Sequence, residues 1–317
     1  MRALLAAARH GVARAEAAGG AWTVERVLDG VDVRCLAADP LEEGVVWAGT
    51  QGDGLYRSDD AGRSWRPSGI AGRVVKSVAP SPTEPGVVYA GAKPALIFTS
   101  RDGGTTWSEL ESFRRIRGRR LWFSPAEKPF TAYVQGLALS PADPRVIVAG
   151  IEVGAVVRSE DGGTTWSGHR PGASRDCHSL QFHATDGRFV YEGGGTGPAM
   201  SRDAGRAWDG DRSGLDRRYC WAATADPEDP EVWYVSASTG PRAAHGGVAA
   251  DACVYRRRSA RWETVAGPLD DMPYALFHDS GRLHMGLASG RVLRLDDEWS
   301  PLPLELGPGT HVFVPVS

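Results

Sequence analysis

Seven short apolar segments of this 317-residue chain align with one another, and their residues at one shared position differ in chemistry. The position holds cations, imidazoles, an amide and aromatic rings, namely Arg34, Lys76, Gln135, His178, Trp221, Tyr274 and His311. Cations hold anions, imidazoles exchange protons near neutral pH, and aromatic rings stack on ligands. Because repeated segments would keep a purely structural position alike, this variety indicates a ligand site.

A second aligned position, at the end of the segment that follows, adds Arg9, Gln51, Lys93 and Glu152, with Glu192 slightly earlier in its own segment. The two positions together predict a polar funnel. Polarity needed only to solvate a wet channel mouth is the alternative interpretation. The catalytic candidates are His178, His311, Glu152, Glu192 and Tyr274. The ligand-binding candidates are Arg34, Lys76, Gln135, Trp221, Gln51, Lys93 and Arg9.

Each candidate has an expected role. Arg34 and Lys76 are expected to hold anions, and Trp221 and Tyr274 to form stacking walls. His178 and His311 are expected to hydrogen-bond or to act as acid and base. Glu152 and Glu192 belong to consecutive repeats and are placed to form the carboxylate pair that glycoside hydrolysis requires. Three residues that precede inner strands are also expected near the funnel: Asp176, Arg217 and Arg218.

We expect no cofactor and no metal. The four cysteines form no C-x-x-C pair, and we interpret them as reduced. A metal between His178 and His311 would join repeats that are not neighbours, and no carboxylate or cysteine spacing supports one.

An internal repeat defines the elements that must position these residues. The segments SDDAGRSW (58–65), SRDGGTTW (100–107) and SEDGGTTW (159–166) share the pattern S-x-D-x-G-x-[ST]-W, and SRDAGRAW (201–208) follows it closely. Each segment follows a short apolar strand. Its Asp and Gly supply a side-chain acceptor and a positive-φ position for a tight turn. We therefore expect these Asp residues to be structural.

The pattern resembles the Asp-box, or BNR, repeat of sialidase-like and sortilin-like β-propellers, a superfamily that also includes photosystem II assembly factors. The resemblance covers the whole chain and implies an all-β propeller that forms one domain, 1–317. It also implies a glycosidase, a peptide receptor or a docking platform. Sialidase activity is not expected, since the chain lacks an F/Y-R-I-P segment and aligns Arg34 and Tyr274 without an arginine triad.

Tryptophan residues at the ends of the repeats indicate the number of blades. One ends each repeat, at Trp22, Trp65, Trp107, Trp166, Trp208, Trp262 and Trp299. They predict seven four-stranded antiparallel blades, with six blades as the alternative. The first repeat lacks its innermost strand, and residues 311–316 resemble the other inner strands. We therefore predict that this C-terminal segment pairs beside residues 3–9 and closes the ring.

Two insertions, 114–133 and 238–252, lengthen the repeats on the funnel side. The first contains five arginines between residues 114 and 120 together with several aromatic residues. Long loops of this kind are often functional, so one interpretation is a lid over the ligand. The other is a solvent-exposed loop without a role in binding.

The composition of the chain narrows the range of possible functions. Glycine (40) and proline (21) are in excess, and the net charge is −3 without a like-charge block. These features disfavour a helical bundle and give no electrostatic signature of nucleic-acid or membrane binding. No signal-peptide core is recognisable, and we expect a cytoplasmic protein. The favoured function is binding of a small anionic or carbohydrate-like ligand in the funnel; the alternatives are a hydrolase or lyase, and a scaffold for a protein partner on the channel-mouth face.

Overall fold

The computed structural model describes residues 3–8, 10–246 and 249–316, and its strands form seven antiparallel sheets. Blade 1 contains β1 (Ala3–Ala8), β2 (Gly11–Ala18), β3 (Ala21–Val27) and the C-terminal β26 (Val312–Val316). Blade 2 contains β4 (Val33–Ala38), β5 (Val46–Thr50), β6 (Leu55–Ser58) and β7 (Arg66–Pro67); blade 3 contains β8 (Val74–Pro80), β9 (Val88–Lys93), β10 (Leu96–Ser100) and β11 (Ser108–Glu109). Blade 4 contains β12 (Val134–Leu139), β13 (Ile147–Ile151) and β14 (Val156–Ser159); blade 5 contains β15 (Cys177–Phe182), β16 (Val190–Gly194) and β17 (Gly197–Ser201). Blade 6 contains β18 (Tyr219–Ala225), β19 (Trp233–Ser238), β20 (Ala252–Arg258) and β21 (Arg261–Leu269); blade 7 contains β22 (Pro273–Asp279), β23 (Arg282–Leu287), β24 (Arg291–Leu295) and β25 (Trp299–Glu305).

Helices are few and short. Two 3₁₀ segments, Glu111–Arg115 and Arg119–Leu121, lie in or beside the first insertion, and α1 (Pro241–His245) lies in the second. Among the described residues, no helix has the length and apolar character needed to cross a membrane.

The predicted seven-bladed propeller is confirmed, and six blades are excluded. The innermost strands contact one another in sequence around a ring, β26–β4–β8–β12–β15–β18–β22, and β22 contacts β26 again. Closure occurs as predicted, because β26 pairs antiparallel with β1 from Ala3↔Val316 to Ala7↔Val312. Blades 4 and 5 differ at their outer edge, where chain without regular strand structure hydrogen-bonds to the third strand, as Ser167 N does to Arg158 O at 2.8 Å.

Small residues in the second strands let neighbouring blades pack closely. The strand Val46–Thr50 is buried throughout because another blade covers each of its faces. A Cβ on Gly49 would lie 2.5 Å from Cys35 Sγ and 2.7 Å from Val75 Cγ1, which belongs to the next inner strand. The repeated Ala-Gly dipeptides therefore mark the places where an inner strand fits against its neighbour. Cys35, like the other three cysteines, is buried and free.

The S-x-D-x-G-x-[ST]-W segments form matching turns. In the second of them, Gly104 N donates to Ser100 Oγ at 2.9 Å, and Asp102 Oδ1 accepts from Thr106 N at 2.8 Å. Hydrogen bonds from the Thr106 hydroxyl and backbone N–H lower the pKa of Asp102 to about 2. These Asp side chains are therefore occupied in holding the turn, as the sequence predicts.

Ser100→Ala tests the importance of the turn. The substitution leaves the buried Gly104 N–H without its acceptor, which typically costs about 1–3 kcal/mol. We expect the melting temperature to fall by several degrees. Thr105→Ala, which removes an exposed hydroxyl from the same turn, is the control. Equal melting temperatures for the two variants would contradict this account of the turn.

Candidate functional site

The first aligned position coincides with a β-bulge in the inner strand of six blades. In blade 2, for example, Val33 pairs with Thr50 and Cys35 pairs with Gly49, so that Arg34 has no partner in the ladder. The same shift occurs in β8, β12, β15, β18 and β22, and in blade 1 His311 immediately precedes β26. A bulge redirects the side chain of the extra residue. The bulges therefore release this position from the regular pairing of the strand.

The candidate residues form three neighbouring groups whose charges act on one another, Lys76 on Glu152 and Arg34 on Lys76. One group surrounds His178, a second surrounds Lys76, and a third surrounds Arg34 and His311. Gln135 lies beside the first group, where its Nε2 donates to His178 O at 3.4 Å. Arg9 lies outside the described residues.

Glu152, Asp176 and His178 form what we call the acid–imidazole cluster. His178 Nε2 lies 3.5 Å from Asp176 Oδ2 and 3.8 Å from Glu152 Oε2. The His178 side chain is fully buried, whereas those of Glu152 and Asp176 are 12% and 26% exposed. The cluster therefore reaches solvent through its carboxylates, with the imidazole beneath them.

Burial and mutual attraction set the charges of this cluster. Burial raises the pKa of Glu152 to about 7, although His178 acts against it. Burial also opposes ionisation of Asp176, but His178 and the Val153 backbone N–H outweigh it and lower the pKa of Asp176. Burial would lower the pKa of His178, yet the two carboxylates raise it overall. Three ionisable groups with shifted pKa values at one position are typical of functional sites.

Backbone contacts hold the cluster in place. His178 Nδ1 lies 2.6 Å from the Cys220 carbonyl oxygen in the inner strand of the next blade. Asp176 Oδ1 accepts from Val153 N at 3.4 Å, and a Cβ on Gly195 would collide with its other oxygen. The strand ends and bulges of blades 4 and 5 thus converge on one point.

Asp176 approaches Glu152, whereas Glu192, which the sequence placed in a carboxylate pair, does not belong to the cluster. Glu192 is fully buried and accepts a hydrogen bond from Ser174 N at 2.8 Å. Burial raises the pKa of Glu192 to about 8. This carboxyl group therefore supports the loop that carries Asp176 and has no access to a ligand from solvent.

An aromatic wall adjoins the cluster. We use this name for Tyr219, Trp221, His245 and Tyr274. The His178 ring lies 4.8 Å from both Tyr219 and Trp221, and Trp221 lies 5.5 Å from Tyr274. His245, from α1 in the second insertion, stacks on Tyr274 with the rings 5.7 Å apart and nearly parallel. The insertion thus brings an extra ring to the aromatic wall.

Hydrogen bonds fix the orientation of His245. Tyr274 Oη donates to the Ala244 carbonyl at 2.8 Å, so it accepts from His245 Nδ1 at 2.9 Å. His245 Nε2 then accepts from Tyr219 Oη at 3.1 Å. Burial lowers the pKa of His245 to about 4, so the ring is neutral at pH 7. The aromatic wall is therefore uncharged and held in one arrangement.

The second group pairs its lysines with a carboxylate from the first insertion. Lys76 Nζ lies 2.6 Å and Lys93 Nζ 3.2 Å from Glu127 Oε1, and Gln51 Nε2 donates to Glu127 Oε2 at 3.5 Å. Both ammonium groups also face the Tyr133 ring, at 5.0 and 5.7 Å. Lys76 therefore already has a counter-charge within the protein, and its expected role in holding an external anion stays a prediction.

The third group is paired only in part. Arg34 Nη2 donates to Asp32 Oδ2 at 2.8 Å, whereas Arg34 Nε and His311 Nε2 are buried without a hydrogen-bond partner among the described residues. The expected role of Arg34 in holding an anion stays a prediction. Burial lowers the pKa of the nearby His311.

Arg217 binds Asp216 and Asp251, and Asp251 belongs to the second insertion. This arginine therefore anchors the insertion.

An exposed apolar patch lies on the rim beside the cluster. Leu121 is 86% exposed, Phe123 50%, Phe130 47% and Val153 37%. Phe123 N donates to Val153 O at 3.2 Å, and the rings of Phe123 and Phe130 lie 6.1 Å apart. We call Phe123, Phe130 and Val153, together with Leu121 two residues before Phe123, the rim patch. Exposed apolar side chains gathered in this way can mark an interaction surface.

A cavity of about 450 Å³ lies away from all these groups, and its lining includes Arg158, Trp166, Arg170 and Arg206. Its charged groups are largely engaged within the protein: Arg158 pairs with Glu160, and Arg170 donates to Arg206 O, although Arg158 Nη2 has no hydrogen-bond partner among the described residues. We therefore place the candidate site at the acid–imidazole cluster, where groups with shifted pKa values and aromatic rings converge.

Sequence reasoning missed three of these contributors, Glu127, Tyr219 and His245. A compositional signal existed for two of them. Glu127 is the single acidic residue in 114–133, and His245 is the single histidine in 238–252. Tyr219 immediately precedes Cys220 and the bulge at Trp221, so a register count would have been needed to find it.

No protein-family model matches the chain, and no curated protein matches it in sequence. Solved structures do resemble it. An ancestral GH74 enzyme superposes with a TM-score of 0.65 at 17% identity over 85% of this chain and 37% of its own. The GH74 xyloglucanase of Xanthomonas campestris gives 0.60 at 20% identity, over 85% of this chain and 45% of its own. A YCF48 structure with bound D1 peptide gives 0.58 at 13% identity, over 86% and 80%.

These similarities show the fold. The chain spans less than half of either GH74 chain. The propeller fold predicted from the sequence is thereby confirmed.

Proposed function

We propose that this propeller binds a small, neutral, carbohydrate-like ligand at the channel mouth, above the acid–imidazole cluster and against the aromatic wall. The observation that carries the proposal is the contact between an uncharged aromatic wall and two partly exposed carboxylates, with Trp221 4.8 Å from the His178 ring. Aromatic faces bind the apolar face of a ligand, and carboxylates accept hydrogen bonds from its hydroxyl groups.

Charge favours a neutral ligand over an anionic one. The cations that the sequence assigned to anion binding are paired with Glu127 and Asp32. The groups of the cluster that reach solvent are the carboxyl groups of Glu152 and Asp176, which offer an anion no positive charge. The carbohydrate part of the sequence-based hypothesis is therefore retained, and the anionic part is not.

The shared imidazole favours binding over hydrolysis. Glycosidases act through two carboxyl groups that flank the scissile bond. Here His178 Nε2 lies 3.5 Å from Asp176 Oδ2 and 3.8 Å from Glu152 Oε2, so both carboxylates are engaged with one imidazole. We therefore propose a binding protein rather than a glycosidase.

Neutral oligosaccharides, including xyloglucan fragments, are the first ligands to screen by thermal shift. A ligand at a hundredfold excess over its Kd stabilises the protein by about 2.7 kcal/mol, which raises the melting temperature by several degrees. Trp221→Ala should abolish this shift because it removes the stacking surface. Trp22→Ala, on the outer strand β3, is the matched control and should keep it. A ligand shift that survives in Trp221→Ala would contradict the proposal, as would no shift with any sugar.

A protein partner is the second candidate, and the rim patch is the observation that favours it. YCF48, one of the structural neighbours, is seen with a bound peptide. Phe123→Ser should reduce affinity for any peptide selected from a display library while leaving oligosaccharide binding intact. Peptides that bind Phe123→Ser as well as the unaltered protein would exclude the rim patch.

A further inference from the structure

We propose that the acid–imidazole cluster binds one Zn²⁺ ion through Glu152, Asp176 and His178. The inference goes beyond carbohydrate binding, and its test requires no sugar. One ligand atom from each of the three residues lies within 4.8 Å of the others. The site would lie at the channel mouth, where the strand ends of blades 4 and 5 converge.

His178 is the observation that points to a metal rather than to a surface acid cluster. The residue is only 4% exposed, and its Nδ1 lies 2.6 Å from the Cys220 carbonyl oxygen. A carbonyl only accepts hydrogen bonds, so Nδ1 carries a proton, and Nε2 is the nitrogen whose lone pair a metal would take in place of a proton. Nε2 is buried and has no hydrogen-bond partner among the described residues. This arrangement is the one that metal-binding histidines have, with the other nitrogen donating to a carbonyl.

The distances within the cluster fit a shared ion better than direct hydrogen bonds. His178 Nε2 lies 3.5 and 3.8 Å from the two carboxylate oxygens, beyond the roughly 2.7–2.9 Å of a charged N–H···O bond. Two ligands of a tetrahedral Zn²⁺ with bonds of roughly 2.0–2.1 Å are about 3.3–3.4 Å apart. Small side-chain rotations would therefore bring all three atoms into contact with one ion.

The charge of the cluster and its access to solvent also suit a divalent metal ion. Two carboxylates balance the charge of a divalent ion, and their partial exposure opens the cluster to solvent. Imidazole among the ligands favours Zn²⁺ over Mg²⁺ or Ca²⁺, which prefer all-oxygen sites. Three protein ligands leave a fourth position toward the funnel for water or a ligand hydroxyl.

The test is titration of EDTA-treated, dialysed protein with Zn²⁺ by calorimetry, and with Co²⁺ by visible absorption. We expect one ion per chain, with the absorption bands of tetrahedral Co²⁺. Glu152→Gln and Asp176→Asn keep the size of each side chain and should each weaken binding at least tenfold. Asp32→Asn, which alters another carboxylate that forms an ion pair at the mouth, should leave it unchanged.

Circular dichroism establishes that each variant is folded, and either of the two cluster variants is sufficient for the comparison. Absence of a one-to-one complex with the unaltered protein would overturn the proposal. Equal affinity in the unaltered protein, Glu152→Gln and Asp176→Asn would also overturn it, since the ion would then lie elsewhere. If the unaltered protein bound Zn²⁺ but no oligosaccharide, only the proposed function would be contradicted.

Discussion

Removing residues 308–317 is expected to lower the melting temperature by more than about 10 °C. The deletion takes away β26, the innermost strand of blade 1, and leaves the edge of β1 unpaired. It also uncovers the core around Phe313 and Val316, which are 5% and 3% exposed. Burying two such side chains contributes roughly 3–6 kcal/mol, and each kcal/mol corresponds to about 2–4 °C in a domain of 150–250 residues.

A synthetic peptide of residues 308–317 provides the control for this deletion. Added to the shortened chain, it should restore much of the lost melting temperature by pairing with β1. A peptide with Phe313→Ser should restore less, because Phe313 fills the core between β26 and its neighbours. A shortened chain that melts like the complete one would contradict closure by the C-terminal strand.

Glu127→Gln is expected to destabilise the protein by roughly 3–5 kcal/mol, because it leaves two buried ammonium groups without a counter-charge. The Lys76 and Lys93 side chains are only 8% and 4% exposed, and both lie within ion-pair distance of Glu127. Burial already lowers the pKa of Lys76. Chemical denaturation at pH 7 measures the loss directly.

Glu111→Gln, which changes an exposed carboxylate near the same insertion, is the control and should have little effect. Added acetate or phosphate should recover part of the stability of Glu127→Gln by taking the place of the missing carboxylate. The unaltered protein should gain no comparable stability. If Glu127→Gln matched Glu111→Gln in stability, the lysines would not depend on Glu127.

The fold could be predicted from the sequence because each repeat contains the residues that form its own turn. The turn from Ser100 to Trp107 is stabilised by residues within the segment, so its pattern survives in each copy and can be counted. Ring closure was predictable for the same reason. Comparison with the other repeats shows that the first one lacks an inner strand and that the C-terminal segment provides an additional one. The irregular outer edges of blades 4 and 5 follow no such pattern.

The site was predictable only in part. Its position followed from the variability of the aligned residues, because the bulges place His178, Trp221 and Tyr274 at one end of the ring. Their partners depend on contacts between blades and insertions. Glu127 reaches Lys76 across 51 residues of chain, and His245 reaches Tyr274 across 29, distances over which spacing gives no information.

The most direct test of the account is a crystal structure of the protein with a bound neutral oligosaccharide. We predict a sugar ring against Trp221, with hydroxyl groups hydrogen-bonded to Glu152 or Asp176. A sugar bound instead in the cavity lined by Arg158, Trp166 and Arg170 would contradict the assignment of the channel mouth as the functional site.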